Sequence, residues 1–565
     1  MFSSKHRADC ERKQQEIKNQ RQYLPPIYTE PLTEFDEKIL ALSLSQVVSS
    51  CNSNHLQPCD ILHAYGKRAI LAHDSVNCLA DIMFDEIRED CVPADKTLSG
   101  IVVSLKDCID VAGHDTTLGY SSRAGHPKET SAPLVRLLRD AGAMMPVKTT
   151  VPAGLLSIET KSDLFGETAN PYNTAYSPGA STGGGCALLA YQGSVVEVAT
   201  DIGGSVRFPA GWCGVYSVKG SVGRFPAYGC MTCAPGNEGA PTVTAPIART
   251  LDDLEEFWKR VVQMEPWRYD HTCIPLAWRP VDFVLKGRKA KWGVLWSDGL
   301  IPPSPAVVRG MRESIDALRR AGHEVVDFFS PSVDPVEGLK IGFQLAFCDG
   351  GVSLSTPLRR GEFCNGAQAL TVQLVQMPYF MKLIYALWLR LMSRPAGRND
   401  RWAELIEVLH TKSVAEVNAL IVAREAYKAA WFARQQEQGI DFIITPVHAL
   451  PAIPLGMSGV ATLVSAGSAF LFNVLDVTAG VQPVTHVDER LDRLPADFQQ
   501  SESYLQLNDA ARSAWSLYDA SAMHGLPVAV QVVGGRLEEE KVLAGMKVLE
   551  RALWDAGKGF LQKKF

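Results

Sequence analysis

A lysine stands where an apolar strand ends. Residues 100–104 (GIVVS) predict a short buried strand that runs into Leu105, Lys106 and Asp107. Burial disfavours the ammonium form of a lysine and lowers its pKa, so that such a lysine can act as a general base near neutral pH. A surface lysine paired with Asp107 or Asp110 is the alternative, and Lys106 alone does not decide between them.

A glycine-rich loop further along contains Ser181. Residues 179–185 (GASTGGG) have the G-x-S-x-G spacing of a nucleophile elbow. An elbow needs a strand directly before its serine, whereas residues 170–171 (NP) and 177–178 (SP) indicate a loop. A phosphate cradle is a second alternative, but the chain lacks GxxxxGK[ST] and has no GxGxxG after a strand.

A third stretch, residues 200–209 (TDIGGSVRFP), has two glycines before Ser205. Glycines let the backbone turn tightly, so that successive N–H groups can point at one oxyanion. Asp201 and Arg207 flank the turn with opposite charges that could fix the loop. A purely structural turn held by a salt bridge explains the same pattern.

No histidine stands out as a partner for either serine. Of the twelve histidines, those near turns or strand ends are His114, His448, His486 and His524. Spacing does not decide for or against a Ser-His-Asp triad, because triad members meet only after folding. Lysine can also activate a serine, and Lys106, Ser181 and Ser205 form a set that needs no histidine.

Composition excludes several classes of protein. The 565 residues are 46% hydrophobic and 21% charged, which is typical of a globular chain rather than a disordered, collagen-like or coiled-coil one. The net charge of −6 predicts no nucleic-acid partner. The only CxxC, Cys230 to Cys233, has no second CxxC and no His pair at zinc spacing, so we expect buried or loop thiols and no metal site.

Targeting and membrane signals are weak. The first 20 residues are too charged for a secretory signal because they lack an apolar core. Residues 366–392 are the most lipophilic, but Pro378 and Lys382 interrupt them, and a span needs ~20 clean residues. We therefore expect no stable membrane span, a cytoplasmic location, and a packing role for residues 366–392, with a cap over an acyl pocket as the alternative.

Strands alternate with helices, which predicts one large α/β domain on a mixed, mostly parallel central sheet with helices on both faces. Strands are predicted at residues 100–104, 145–150, 291–296, 324–329, 442–445 and 528–533. Helices are predicted at residues 8–22, 34–50, 58–75, 131–142, 304–321, 336–350, 366–393, 400–438 and 536–556. We expect a helical N-terminal arm over residues 1–75 and the α/β domain over 76–565. Within that domain, residues 335–438 form a largely helical insertion near the substrate entrance.

Together these motifs resemble the amidase signature family. That family has roughly a GGSSGG loop, a small-residue helix and TDIGGSxRxP, and this chain reads GASTGG at 179–184 and the intact second motif at 200–209. Residues 100–107 (GIVVSLKD) resemble the family's GIPxSxKD. Further matches lie at 148–152, 165–171, 219–224, 525–527 and 531–534. The similarity covers about residues 60–555, and the stretches 68–73, 212–214, 472–476 and 483–485 resemble the fungal acetamidase and general amidase branch.

The resemblance implies a Ser-Ser-Lys triad. Ser205 would be the acyl-enzyme nucleophile, Ser181 the bridging serine beside a cis peptide, and Lys106 the base. The implied substrate contacts are Leu155, Ser181, Ile202, Gly203, Gly204 and Ser205, with the last four supplying N–H groups to the oxyanion. The implied activity is hydrolysis of a linear monocarboxylic acid amide, first of all a small aliphatic one, to the carboxylate plus ammonia or an amine. No metal or organic cofactor is implied, and a homodimer is left open.

The chain departs from the family pattern at Val102, Ala180 and Thr182. None of these departures deletes a triad member, so activity is expected. Three other functions stay open: an amidotransferase subunit that passes ammonia to a charged tRNA, an esterase using Ser181 and a histidine, and a silent relative that binds a small ligand. The ordinary charge balance disfavours the first, and retention of Lys106 and both serines disfavours the last.

Overall fold

Thirteen strands and twenty α-helices occur in the part of the chain that the structure describes. The computed structural model describes residues 2–87, 95–281, 283, 287–393 and 397–565. The strands are β1 (Leu79–Ile82), β2 (Val103–Lys106), β3 (Val147–Thr149), β4 (Lys161–Ser162), β5 (Gly166–Glu167), β6 (Val196–Asp201), β7 (Tyr216–Lys219), β8 (Val243–Ala248), β9 (Lys291–Val294), β10 (Glu324–Asp327), β11 (Phe442–Pro446), β12 (Ala479–His486) and β13 (Pro527–Val533). The helices are α1 (Phe2–Gln22), α2 (Glu34–Leu40), α3 (Leu44–Asn52), α4 (Pro58–Val76), α5 (Pro133–Asp140), α6 (Gly183–Ala190), α7 (Arg207–Cys213), α8 (Leu251–Gln263), α9 (Pro305–Arg320), α10 (Pro335–Ala346), α11 (Val352–Ser355), α12 (Gly366–Gln376), α13 (Tyr379–Met392), α14 (Asp400–Val408), α15 (Val414–Glu437), α16 (Ser458–Ala461), α17 (Gly467–Val474), α18 (Glu502–Leu505), α19 (Asp509–Trp515) and α20 (Glu539–Asp555).

Eleven strands form one sheet in the order β1-β3-β2-β6-β8-β7-β12-β13-β11-β9-β10. The pairs β3–β2, β2–β6, β11–β9 and β9–β10 are parallel, and the other six pairs are antiparallel. Every residue of β6, β8 and β13 is buried. Because side chains alternate between the two faces of a sheet, both faces must be covered. The predicted α/β domain on a mixed, helix-covered sheet is confirmed.

Antiparallel pairs are more frequent than the expectation of a mostly parallel sheet allows. Strand β8 lies between β6 and β7 and is antiparallel to both. Strand β13 lies in the same way between β12 and β11. Each insertion separates two strands of equal direction and creates two antiparallel pairs. Parallel pairing is therefore confined to the blocks β3-β2-β6 and β11-β9-β10.

Helix α1 is attached to the rest of the chain by polar contacts. His6 Nε2 lies 2.9 Å from a carboxylate oxygen of Asp163, and Gln20 Nε2 donates to Asp81 Oδ1 at 2.6 Å. Helices α1–α3 and all of α4 except its last residue lie within the predicted N-terminal arm, and α10–α15 lie within the predicted insertion at residues 335–438. Whether either segment is a separate unit stays a prediction.

Helix α13 exposes an apolar face, so the packing role expected for residues 366–392 is wrong for this part of the segment. The exposed fractions are 64% for Phe380, 62% for Ile384 and 49% for Trp388. Only its opposite face, with Ala386 and Leu389, packs against α14. Among the described helices, none combines the length and apolarity that crossing a membrane requires.

Candidate active site

Lys106 ends β2 and is fully buried. Its Nζ donates to Ser181 Oγ at 2.8 Å, to the Thr200 carbonyl at 3.0 Å and to Thr200 Oγ1 at 3.2 Å. Asp107 faces elsewhere, because its carboxylate accepts from the Leu118 N–H at 2.7 Å. Burial lowers the pKa of Lys106, which favours the neutral amine. The alternative of a surface lysine paired with a neighbouring aspartate is wrong.

Ser181 lies two residues before the start of α6 and follows a cis peptide bond from Ala180. Gly179 has a φ of 87°, and a Cβ there would lie 2.7 Å from Pro209 Cα, so this turn requires glycine. Residues 177–182 contain no strand, and the hydroxyl partner of Ser181 is Lys106 rather than a histidine. The nucleophile-elbow alternative is therefore wrong.

The carboxylate of Asp201 shapes the loop that carries Ser205. It accepts from the Gly204 N–H at 2.8 Å and from the Val206 N–H at 3.2 Å. Arg207 pairs with both carboxylate oxygens, each at 3.0 Å. Burial alone would raise the pKa of Asp201, but the Arg207 guanidinium beside it holds that pKa well below its usual range. A charged, paired Asp201 therefore fixes both ends of the turn.

Arg207 also ties this loop to distant parts of the chain. Its guanidinium donates to the Ala469 carbonyl at 2.6 Å, to Gln531 Oε1 at 3.0 Å and to the side chain of Asn473. Asn473 lies on α17 and Gln531 on β13, so the C-terminal third of the chain supports the turn. The sequence motifs contained both residues, but nothing in the pattern assigned them a role.

Ser205 borders an apolar cavity and is 8% exposed. The Thr182 N–H donates to the Ser205 carbonyl at 3.3 Å, which brings the residue after Ser181 against Ser205. Three other predicted contacts also line the cavity: Leu155, Ile202 and Gly203. The sequence did not indicate the remaining apolar wall, which includes Phe208, Phe343, Phe347, Leu354, Leu463 and Phe470.

Two predicted substrate contacts have no place in the cavity wall and stay predictions. In the described part of the chain, neither Ser181 nor Gly204 is among the residues that line the cavity. The Gly204 N–H donates to Asp201, and Gly204 has a φ of 111°, with a Cβ there lying 2.7 Å from that of Ala469. Gly204 thus acts through the shape of the turn. Ser181 is hydrogen-bonded to Lys106, and the residue after it, Thr182, contacts Ser205.

An α/β fold in which a buried lysine is bonded to a serine near an apolar cavity is the architecture of a hydrolytic enzyme. The chain belongs to the amidase family, whose model matches residues 60–543. The resemblance found in the sequence is confirmed, and the protein is a hydrolase of amide bonds.

The relatives of known name agree with this assignment. The chain is 30% identical over 531 residues to an acetamidase of Aspergillus oryzae, covering 91% of this chain and 90% of the relative. It is 31% identical over 523 residues to fatty-acid amide hydrolase 1 of Sus scrofa, covering 92% and 86%. A solved fatty acid amide hydrolase has the same fold, with a TM-score of 0.82 at 23% identity over 97% of this chain and 95% of that one.

Replacement of Arg207 by Met is expected to reduce the free energy of unfolding by about 3–5 kcal/mol, because it leaves the buried Asp201 carboxylate unpaired. Urea titration followed by circular dichroism measures the loss. Arg21→Met is the matched control, since Arg21 and its partner Asp74 are 31% and 49% exposed, and it should lose about 0–1 kcal/mol. Equal losses in the two variants would contradict the assigned role of Arg207.

Stability is expected to depend on pH through Lys106. Its folded-state pKa is lowered by burial, so between that value and ~10.4 the unfolded chain binds more protons. The free energy of unfolding of the wild type therefore increases as pH rises through this window. Lys106→Met has no amine at this position and lacks the increase. Urea titrations from about pH 7 to pH 10 should show the wild type gaining on the variant. Lys38, whose side chain is 70% exposed, is the control: Lys38→Met should track the wild type.

Proposed function

We propose that the protein hydrolyses linear carboxamides with Ser205 as nucleophile, Ser181 as proton bridge and Lys106 as base. The 2.8 Å distance between Lys106 Nζ and Ser181 Oγ carries this proposal, because at that distance the hydroxyl can donate its proton to the lone pair of a neutral amine. An amine kept neutral by burial is able to take a proton from a serine hydroxyl. A second serine must reach the substrate, and Ser205 borders the cavity.

The acylation step begins with attack of Ser205 Oγ on the amide carbonyl carbon. The hydroxyl proton of Ser205 passes to Ser181, and the Ser181 proton passes to Lys106, which becomes an ammonium. The carbonyl oxygen becomes an oxyanion, for which the N–H groups of Ile202, Gly203 and Ser205 are the proposed donors. The Gly204 N–H is left out because it already donates to Asp201.

Collapse of the tetrahedral intermediate breaks the C–N bond and returns a proton to the nitrogen. The proton runs back from Lys106 through Ser181, so that ammonia or a neutral amine leaves and Lys106 is again a free amine. Water then attacks the acyl ester on Ser205 by the same relay, which releases the carboxylic acid and restores both serines. The sequence of steps needs no metal and no organic cofactor.

The cavity favours an uncharged, apolar acyl group. Its walls carry four phenylalanines, Phe208, Phe343, Phe347 and Phe470. Asp349 also lines the cavity, and its carboxylate accepts from the N–H groups of Gly351 and Ser353, each at 2.8 Å. An ionised acyl group of the same sign as Asp349 would be repelled and would lose its hydration among aromatic rings. We therefore propose linear monocarboxylic amides with an aliphatic or aryl acyl group.

Covalent labelling tests the relay. A fluorophosphonate should add once to Ser205, with no adduct in Ser205→Ala, and labelling should slow by roughly a hundredfold or more in Lys106→Ala and Ser181→Ala. Intact-mass measurement and peptide mapping report the stoichiometry and the site. An adduct on Ser181, or labelling that ignores Lys106, would refute the proposed roles.

A panel of amides tests the acyl group. Along unbranched primary amides, kcat/KM should rise about fourfold per methylene while the chain still fits, from ~0.8 kcal/mol per buried CH₂. A matched amide with a terminal carboxylate should be slower by about tenfold or more. Leu155→Ala should flatten the rise with chain length more than it slows acetamide. A carboxylate-bearing amide that equals its neutral counterpart would contradict the proposed substrate class.

A further inference from the structure

Glu197 is a buried carboxyl that the relay does not use. It lies on β6, has no exposed surface, and pairs with no cation in the described part of the chain. Its Oε1 accepts from Thr149 Oγ1 at 2.7 Å, while its Oε2 has no hydrogen-bond partner among the described residues. A fully buried carboxyl with one neutral donor and no cation is far more stable protonated than charged.

The strand register places this carboxyl beside the catalytic lysine. In the parallel block β3-β2-β6, Lys106 lies opposite Thr149 on β3, and Ser104 lies opposite Glu197 on β6. Ser104 and Lys106 are two residues apart, so their side chains share one face of the sheet. The hydrogen bond from Thr149 to Glu197 therefore crosses β2 diagonally, from the position opposite Lys106 to the position opposite Ser104.

The helix that follows Ser181 is shaped to admit Glu197. A Cβ on Gly185 of α6 would lie 2.3 Å from Cδ of Glu197 and 2.4 Å from its Oε1. Only glycine at this position lets α6 rest on the carboxyl. Glu197 thus fills the space between the lysine strand and the helix that begins beside Ser181.

Other charges near Lys106 are already neutralised. Asp201 is paired with Arg207. The remaining titratable neighbours of Lys106 and Glu197 are thiols, and burial raises the pKa of each: Cys78, Cys108, Cys186 and Cys233. On β8, the residue opposite Glu197 is the apolar Ile247. Glu197 is therefore the unpaired group whose ionisation would act on Lys106.

Protonation of Glu197 decides how basic Lys106 is. Burial raises the pKa of Glu197 to about 7, against the opposing influence of the Ser104 and Thr149 hydroxyls and the attraction of Lys106. An ionised Glu197 attracts a proton onto Lys106 and raises the pKa of that amine, whereas a protonated Glu197 does not. The ammonium form cannot accept the proton of Ser181.

We infer that Glu197 is a positioning residue that sets the pH at which Lys106 becomes competent as a base. The inference rests on the proposed relay and adds a group that no sequence motif assigned. Acylation should slow at low pH, where Lys106 carries a proton; this part of the pH–rate profile is its acidic limb. Replacing the carboxyl of Glu197 by an uncharged group of the same shape should move that limb to lower pH.

Glu197→Gln is the direct test, with the rate of fluorophosphonate labelling of Ser205 measured from about pH 5.5 to pH 10. The limb should move down by about 0.5–1 pH unit, because the variant cannot place a negative charge beside Lys106. Asp298→Asn is the matched control: Asp298 is another buried carboxyl, bonded to the N–H groups of Leu300 and Ile301. The control should keep the wild-type limb even if its rate falls. A limb that stays in place in Glu197→Gln, with only a uniform loss of rate, would overturn the inference.

A second pair of variants guards against misfolding. Gly185→Ala alone should lose stability and label more slowly, because its Cβ meets Glu197. The double variant Gly185→Ala with Glu197→Ala should recover both the stability and the labelling rate. Its acidic limb should lie at lower pH than that of the wild type, as in Glu197→Gln. A double variant that folds with the wild-type limb would also overturn the inference. Failure of the relay itself has a different signature, since wild-type labelling would then be absent or insensitive to Lys106→Ala.

Discussion

A lysine ammonium buried without a counter-ion is unstable, and the arrangement around Lys106 follows from that constraint. Its Nζ meets a hydroxyl and a carbonyl from Thr200 and the hydroxyl of Ser181, and no carboxylate of the described residues. Neutral partners favour the ammonium form far less than a carboxylate would. In the proposed relay, Lys106 is therefore a base ready to accept a proton, and no second base is needed in the cavity beyond Ser205.

The ion pair of Asp201 with Arg207 serves this constraint as well as the loop. A free carboxylate at Asp201 would favour an ammonium at Lys106, but Arg207 cancels its charge while leaving its oxygens to bind two backbone N–H groups. Because Arg207 also bonds Asn473 and Gln531, the turn at Ser205 is held from α17 and β13. The position of Ser205, the proposed nucleophile, therefore depends on α17 and β13 as well as on its own motif.

Sequence reasoning succeeded where local pattern and structure coincide. The motifs at Lys106, Ser181 and Ser205 were found because their residues are contiguous, and helices such as α4 and α9 were found because their apolar period is regular. Strands β8 and β12 were missed, and each contains a proline, Pro246 and Pro483, which argues against a strand when read alone. The expectation of a mostly parallel sheet failed for the same reason, because β8 is one of the inserted antiparallel strands.

The cavity wall has a different origin from the catalytic residues, and this separates what a sequence can predict from what it cannot. Phe343, Leu354 and Phe470 come from α10, α11 and α17, and apolar side chains there look like ordinary core until the chain is folded. A wall of this kind changes shape by substitutions that leave the lysine and the two serines untouched. The reaction class can therefore be inferred from three short motifs, whereas the acyl group is set by residues that no motif marks. Glu197 is the intermediate case: a charged residue inside an apolar strand is visible in the sequence, but its meaning comes from the register that places it beside Lys106.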